Sequence, residues 1–145
     1  MLEAIRAAAD PVEIFDRVIG ECLSLLTHAD GASLEFYREC DNLEYVATAG
    51  TLESFKGLHV PAGSSLSGMS ARTGLIQRCD DTRTDSRVNK EAVHVTGILS
   101  MLCVPLATGA GASAVLKVSA RRPSAFSDQD VATLKTVADF LATIL

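Results

Sequence analysis

Four cysteines are the first candidates for chemistry: Cys22, Cys40, Cys79 and Cys103, separated by 18, 39 and 24 residues. No pair has C-x-x-C spacing and no histidine lies within five residues of any of them, so a zinc-type ligand set is missing. Reduced thiols, some buried as small hydrophobes, are expected. His28, His59 and His94 stand far apart. Of these, His94 alone falls in the long polar stretch 80–96, and such stretches inside compact domains are often functional. There Asp80, Asp81, Asp85 and Glu91 could suggest a divalent ion. They alternate with Arg78, Arg83, Arg87 and Lys90, which reads as a self-neutralising solvated loop. Gly63-Ser64-Ser65 could offer backbone N–H groups to an anion, although plain N-capping is the simpler role. No Ser/His/Asp triad order and no paired-carboxylate signature stands out.

The elements that must position these residues can be read from periodicity. Asp10-Pro11 starts a helix, and Ile14/Phe15, Val18/Ile19, Cys22/Leu23 and Leu25/Leu26 form its buried face. A shorter helical piece with Leu2, Ile5 and Ala9 precedes it. Strands are expected over 33–37 (Leu34 and Phe36 on one face), 44–49, 58–60 and 75–79, with a loop over 50–56. Residues 64–73 read as a short helix capped by Ser64 or Ser65 and ended by Gly74. One helical turn is expected near 89–95. Residues 100–106 and 112–120 form the clearest strand pair, joined by a Gly-rich hairpin. In the second of them Ala114, Leu116 and Val118 alternate with Val115, Lys117 and Ser119, giving one apolar and one mixed face. Ser127 caps a last helix whose stripe is Val131, Leu134, Val137/Ala138, Leu141 and Ile144/Leu145. Hairpin-joined strands with a helix at each end imply an α+β fold with a central antiparallel sheet of five or six strands. Terminal helices would cover one face. Loops and short helices would cover a pocket on the other.

Composition narrows the function classes. The chain has 145 residues, 48% apolar and 21% charged, which suits one globular domain. Residues 1–145 are expected to form that domain, with 1–9 as a helical extension and 10–145 as the core. No apolar run reaches the roughly 18 residues of a membrane span, and the start lacks a signal-type apolar stretch. A cytoplasmic address is expected. Net charge is −5, with 5 Lys/Arg against 11 Asp/Glu in residues 1–72 and 8 against 7 afterwards. Without a basic stripe or tryptophan, nucleic acid is not an expected partner.

PAGSSLSGMSARTG (61–74), DDTRTDSRVNKEAVHVTGILSMLCVPL (80–106) and VLKVSARRPSAFSDQDVATLKTVADFLATIL (115–145) together resemble the GAF domain, the small-molecule sensor and dimerisation module of signalling proteins. The resemblance spans about Asp10 to Leu145 and implies the same α+β architecture. It also implies neighbouring output domains, such as a kinase or cyclase, in a longer chain. The final helix, apolar to Leu145, would then run on into a signalling helix.

Against this family's ligand classes the match is selective. Cyclic-nucleotide members carry N-K and F-x-x-x-D-E; here Ser119-Ala120 replaces the first, and Phe126 and Asp130 match but Val131 replaces the Glu. Phe126 and Asp130 also read as a hydrophobic staple and a first-turn acid. Bilin-binding members place a Cys where this chain has Val88-Asn89. The sulfoxide-reducing members need thiolates where this chain has Ser65-Leu66-Ser67-Gly68 and His94. His94 lacks the surroundings of a haem ligand. No covalent bilin, haem or metal is expected, and no catalysis.

The reading is a non-catalytic sensory GAF domain of a bacterial-type signalling protein, such as a sensor histidine kinase or cyclic-di-GMP enzyme, with an unidentified small-molecule ligand. Candidate ligand-binding residues are Met69, Asp81, Arg83, His94, Thr96, Ile98, Met101, Cys103, Lys117 and Ser119. Arg83 or Lys117 would meet an anionic group, Thr96 and Ser119 would hydrogen-bond, and Met69 would adapt to shape. Plain core is the simpler reading of Met69, Met101 and Cys103, and a solvent-facing position is the alternative for Lys117. The competing reading is a ligand-free dimerisation module. In it the stripes of the terminal helices form a two-fold bundle that Leu141→Glu would break.

Overall fold

The structure is a computed structural model that describes residues 11–108 and 111–145. The elements run α1 (Pro11–Leu25), β1 (Gly31–Arg38), β2 (Asn42–Gly50), a 3-10 turn (Glu53–Phe55), β3 (His59–Pro61), a second 3-10 turn (Ala62–Ser64), α2 (Leu66–Thr73), β4 (Gln77–Cys79), α3 (Lys90–Thr96), β5 (Ser100–Thr108), β6 (Gly111–Ala120) and α4 (Asp128–Ala142). The expected extension over 1–9 and the Asp10 cap lie outside the described residues.

The six strands form one sheet in the order β3-β2-β1-β6-β5-β4, every neighbouring pair antiparallel. The first and last long strands, β1 and β6, therefore meet at its centre. Alternation divides the residues of β6. Ala114, Leu116, Val118 and Ala120 join Phe15, Ile19, Cys22 and Leu26 of the N-terminal helical segment and Leu134, Ala138 and Leu141 of α4 in one core. Phe15 and Phe36 seal this layer edge to face, their rings 5.7 Å apart. Val115, Met101 and Cys103 face the opposite way and join Leu43, Tyr45, Leu52, Val60, Leu66, Val88 and Ile98 in a second core.

This packing corrects the expectation of an interprotomer bundle built from the helical stripes. Those stripes lie against the sheet of their own chain, and Leu141 is fully buried. What the helices leave outside is Leu25, Phe140 and Leu145. The solvent-facing reading of Lys117 is also corrected: the residue is 4% exposed. Apolar walls and paired polar neighbours hold it inside.

Local signals end the short elements. Ser65 accepts from the Gly68 N–H at the start of α2, and Gly74 closes that helix in the left-handed conformation at φ 69°. Asn89 caps α3 through the Ala92 N–H. Ser127 and Asp130 form a reciprocal capping box on α4, while Phe126 is buried beneath it. The Phe126/Asp130 pair thus has a complete structural role. The strand expected over 75–79 is shorter, Gln77–Cys79, and the loop expected over 50–56 contains the 3-10 turn.

Candidate functional site

The second sheet face carries charge at its centre. Ser33 and Glu35 project from β1, Tyr45 from β2, and Lys117 and Ser119 from β6. Ser33 stands opposite Lys117 across the β1–β6 ladder. A β-bulge brings Tyr45 into the group. Leu34 pairs with Ala47 but Glu35 with Tyr45, so Val46 is skipped. Before the bulge, Leu43 and Tyr45 face this side; after it, Ala47 faces the helices.

Lys117 Nζ lies 3.0 Å from Glu35 Oε2, which also accepts from Ser33 Oγ at 2.8 Å. The same ammonium donates to Tyr45 Oη and sits 4.4 Å from the centre of its ring. Glu35 and Ser33 are completely buried and Tyr45 is nearly so. Burial opposes the charge on Lys117, but Glu35, with Tyr45 and Cys103, outweighs it and raises the lysine pKa. Burial pushes the Tyr45 hydroxyl up to about 12, with Lys117 partly offsetting it. Glu35 Oε1 and Ser119 Oγ have no hydrogen-bond partner among the described residues. A native protein rarely leaves buried polar atoms in that state without a reason.

Two short helices cover this group. From β3 through α3, Val60, Ser65, Leu66, Ser67, Asn89, Ala92, Val93, Thr96 and Ile98 close over Tyr45, Met101 and Lys117. The cavity left between them measures about 20 Å³, enough for one water. Side-chain links tie the cover down. Ser70 Oγ donates to the carbonyls of Leu75 at 2.9 Å and Cys103 at 3.3 Å, and Ser67 Oγ lies 3.6 Å from Cys103 Sγ. Asn89 Nδ2 donates to Ser64 Oγ at 3.3 Å, joining the starts of both helices. Thr82 Oγ1 donates to the Ile98 carbonyl at 2.8 Å, and Arg87 bonds Asp85, Gln77 and the Arg78 carbonyl.

Of the residues singled out from sequence, Thr96, Ile98, Met101 and Lys117 come together around the cavity. The Thr96 hydroxyl is engaged by the Ala92 carbonyl of its own helix at 2.9 Å. Cys103 and Ser119 lie on the same sheet face without lining the cavity, and Met69 is half-buried on α2. Asp81 and Arg83 instead pair with each other at 2.9 Å on the outer surface. That contact holds the Asp81 carboxyl down at about 2. Arg83 and the exposed His94 border an open outer groove with Lys90, Gly97 and Leu99. Ser33, Glu35 and Tyr45 were missed. Glu35 had a signal: it is the lone charge in GASLEFY, and a strand that puts Leu34 and Phe36 inward must turn Glu35 to the other face.

Among the described residues, no group of three or more His, Cys, Asp or Glu could hold a metal, and no helix is long and apolar enough to cross a membrane. Cys22, Cys79 and Cys103 are buried and Cys40 is exposed. Burial pushes the thiols of the first three up to about 12.

A family model described as GAF domain matches residues 8–145. No curated protein sequence matches the chain. Solved structures are similar in fold. The GAF domain of an Acinetobacter phosphoenolpyruvate-protein phosphotransferase superposes with a TM-score of 0.81 at 17% identity, covering 99% of this chain and 86% of that one. The GAF-B domain of DevS from Mycobacterium smegmatis gives 0.72 at 24% identity, covering 92% and 91%. Free methionine-R-sulfoxide reductase from Neisseria meningitidis, solved with its substrate, gives 0.79 at 16% identity, covering 98% and 82%.

Proposed function

The chain belongs to the GAF domain family, a family of signalling and sensor modules, and from that premise we propose that it is a non-catalytic sensor of a small molecule. The observation that carries this reading is the Lys117–Glu35–Tyr45 group, placed at the centre of the sheet beneath a cover of two short helices. A buried ion pair is weak support for stability, because desolvation offsets its attraction. Its position under a cover tied down by a few hydrogen bonds fits recognition better. A ligand would lift α2 and α3, engage the polar group and shift β5 and β6. The last of these strands leads directly into α4, so the shift reaches the terminal helices. An output domain such as a histidine kinase or cyclic-di-GMP enzyme would read it there. A cytoplasmic address fits this role.

The non-catalytic reading is supported by the cysteines. Three are buried with pKa values near 12, which leaves little thiolate for redox chemistry.

A second reading is a ligand-free dimerisation module. The small cavity favours it, as does an apolar groove of about 270 Å³ on the outside of α1 and α4, lined by Val18, Leu25, Val137 and Phe140 among others. In either reading a homodimer would form through this outer surface.

Native and denaturing mass spectra of the protein purified from cells separate the two. Extra mass in the native spectrum alone identifies a non-covalent ligand and supports the sensor. Extra mass in both spectra means a covalent adduct and overturns the view of the thiols as inert. A bare dimer in the native spectrum, with chains of unmodified mass in the denaturing one, favours the dimerisation module.

A further inference from the structure

We propose that Arg78 is a latch between the cover and α4: opening of the cover pulls its guanidinium away and loosens the first turn of that helix. This rests on the sensor reading above and gives the same site an output route through the edge of the sheet.

The edge is the easiest part of the sheet to move. Strand β4 has three residues and one neighbour, β5, whereas β6 is bonded along both sides. A short edge strand opens at lower cost than a central one. On β4 the residues alternate between the layers. Cys79 belongs to the second core, while Arg78 stands opposite Leu102 of the helix-side core. The cover holds Arg78 by its main chain. Arg87 donates to the Arg78 carbonyl at 2.7 Å and to Gln77 Oε1 at 2.9 Å, and pairs with Asp85 at 2.6 Å. Lys90, at the start of α3, donates to the carbonyls of Thr82 at 2.8 Å and Asp85 at 3.2 Å. Bonds thus run without a break from α3 through the loop to β4.

The Arg78 side chain reaches the other way. Its Nε donates to Asp80 Oδ1 at 3.2 Å, one terminal nitrogen to Asp128 Oδ1 at 2.9 Å, and the other to the Phe126 carbonyl. Phe126 and Asp128 flank Ser127, the cap of α4. Asp80 adds a second tie, its carbonyl accepting from the Ser124 N–H at 2.7 Å. Ser124 has φ 53°, a left-handed conformation that a residue with a side chain keeps only where its surroundings enforce it. Helix stability alone does not account for this arrangement. A cation at the N-terminal end of a helix opposes its dipole. Asp128 is fully exposed, so its ion pair contributes little. A link between the cover and α4 accounts for both the position of the guanidinium and its three acceptors.

Amide hydrogen exchange, measured by NMR on the ¹⁵N-labelled 145-residue protein, reads the latch without any ligand. Asn89→Ala loosens the cover, because Asn89 caps α3 and bonds Ser64; it has no bond to α4 among the described residues. The variant should speed exchange of the Asp130 and Val131 amides, which donate to Ser127, by about threefold or more relative to the centre of β6. Coupling is reciprocal, so Ser127→Ala, which uncaps α4, should speed the Thr82 amide by a similar factor. Arg78→Met should raise exchange at both places, and neither loosening variant should then act on the far region. An arginine with a merely structural role would leave the two cross-effects in place. The proposal is overturned if Asn89→Ala quickens α3 without moving Asp130 and Val131, or if transmission persists in folded Arg78→Met. Should Arg78→Met fail to fold, Arg78→Lys takes its place, since an ammonium lacks the planar fork that meets three separate acceptors. A negative result strikes the latch alone; the sensor reading is decided by the mass spectra.

Discussion

Gly68 lies against the main chain of Ala62 so closely that a Cβ on it would fall 1.8 Å from the Ala62 carbonyl oxygen. This contact sets how near α2 approaches the turn before it. Ala is the better helix former by about 1 kcal/mol. At Gly68 the clash with backbone outweighs that gain. Gly68→Ala should destabilise the protein by about 1–3 kcal/mol in urea unfolding, the usual cost of overpacking. A neutral or stabilising result would mean that the turn yields freely.

Removing one member of the buried ion pair should be costly. Lys117→Met leaves Glu35 charged, buried and bonded only by Ser33, and the expected loss is roughly 3–5 kcal/mol. Adding Glu35→Gln should recover most of that loss, because no buried charge then remains. The measurement is a double-mutant cycle by denaturant unfolding. Strictly additive losses would contradict the pairing.

Stability should fall on the alkaline side. Cys22, Cys79, Cys103 and Tyr45 have folded pKa values near 12, chiefly through burial, against ordinary values of 9 for thiols and 10 for tyrosine. Above those ordinary values the unfolded chain releases protons that the folded chain keeps, so stability drops as pH rises from 9 towards 12. The raised pKa of Lys117 acts in the same direction: its contribution is complete below its ordinary 10.5 and is lost above it. A melting-temperature series from pH 7 to 11 should decline from about pH 9. Cys22→Ala should flatten the decline, even though it lowers stability at pH 7.

The acid side reports on the cover. Arg87 holds Asp85 well below the usual carboxylate range, through side-chain hydrogen bonds above all, and also bonds Gln77 and the Arg78 carbonyl. With its pKa depressed, Asp85 contributes stability above its ordinary 3.8 that is lost as pH falls below it. Arg87→Ala should cost about 1–2 kcal/mol by leaving its partners poorly satisfied. Hydrogen exchange should quicken between residues 80 and 97 more than in β5 or β6. Uniform acceleration would show that the cover does not open separately from the sheet.

Neighbouring positions on α4 should respond oppositely to the same change. Leu141→Glu places a carboxylate in the helix–sheet core and should unfold the protein. Phe140→Glu alters the outer groove and should leave the fold intact while weakening any dimer, read by sedimentation. A Phe140→Glu dimer of wild-type strength would place the interface elsewhere.

Much of the fold was legible because its signals are local. Ser127 with Asp130, Gly74 and the alternation through Leu116, Lys117 and Val118 each state their role within a few residues. The site was less legible because it depends on pairing across the sheet. Lys117 could be named from its strand, but its partner Glu35 lies 82 positions earlier in the sequence, and no local pattern links them. Tyr45 depends on an irregularity that alternation does not announce. Asp81, Arg83 and His94 were drawn from a loop that covers the site yet turns those side chains outward.

The skipped Val46 changes the reading frame of β2. Upstream of it the odd-numbered residues Leu43 and Tyr45 serve the polar chamber; downstream the odd-numbered Ala47 serves the opposite layer. Deleting Val46 would restore an uninterrupted zigzag with Tyr45 still on the chamber side and Ala47 still on the helix side. A deletion at Glu44 instead leaves the extra residue in place and turns Leu43 to the wrong face. The extra residue thus sets the phase between the two halves of the strand, so its faces depend on the length of the chain on either side of Val46 as well as on residue identity. Single-residue deletions in β2 should therefore be tolerated better at Val46 than at Glu44, read by urea unfolding.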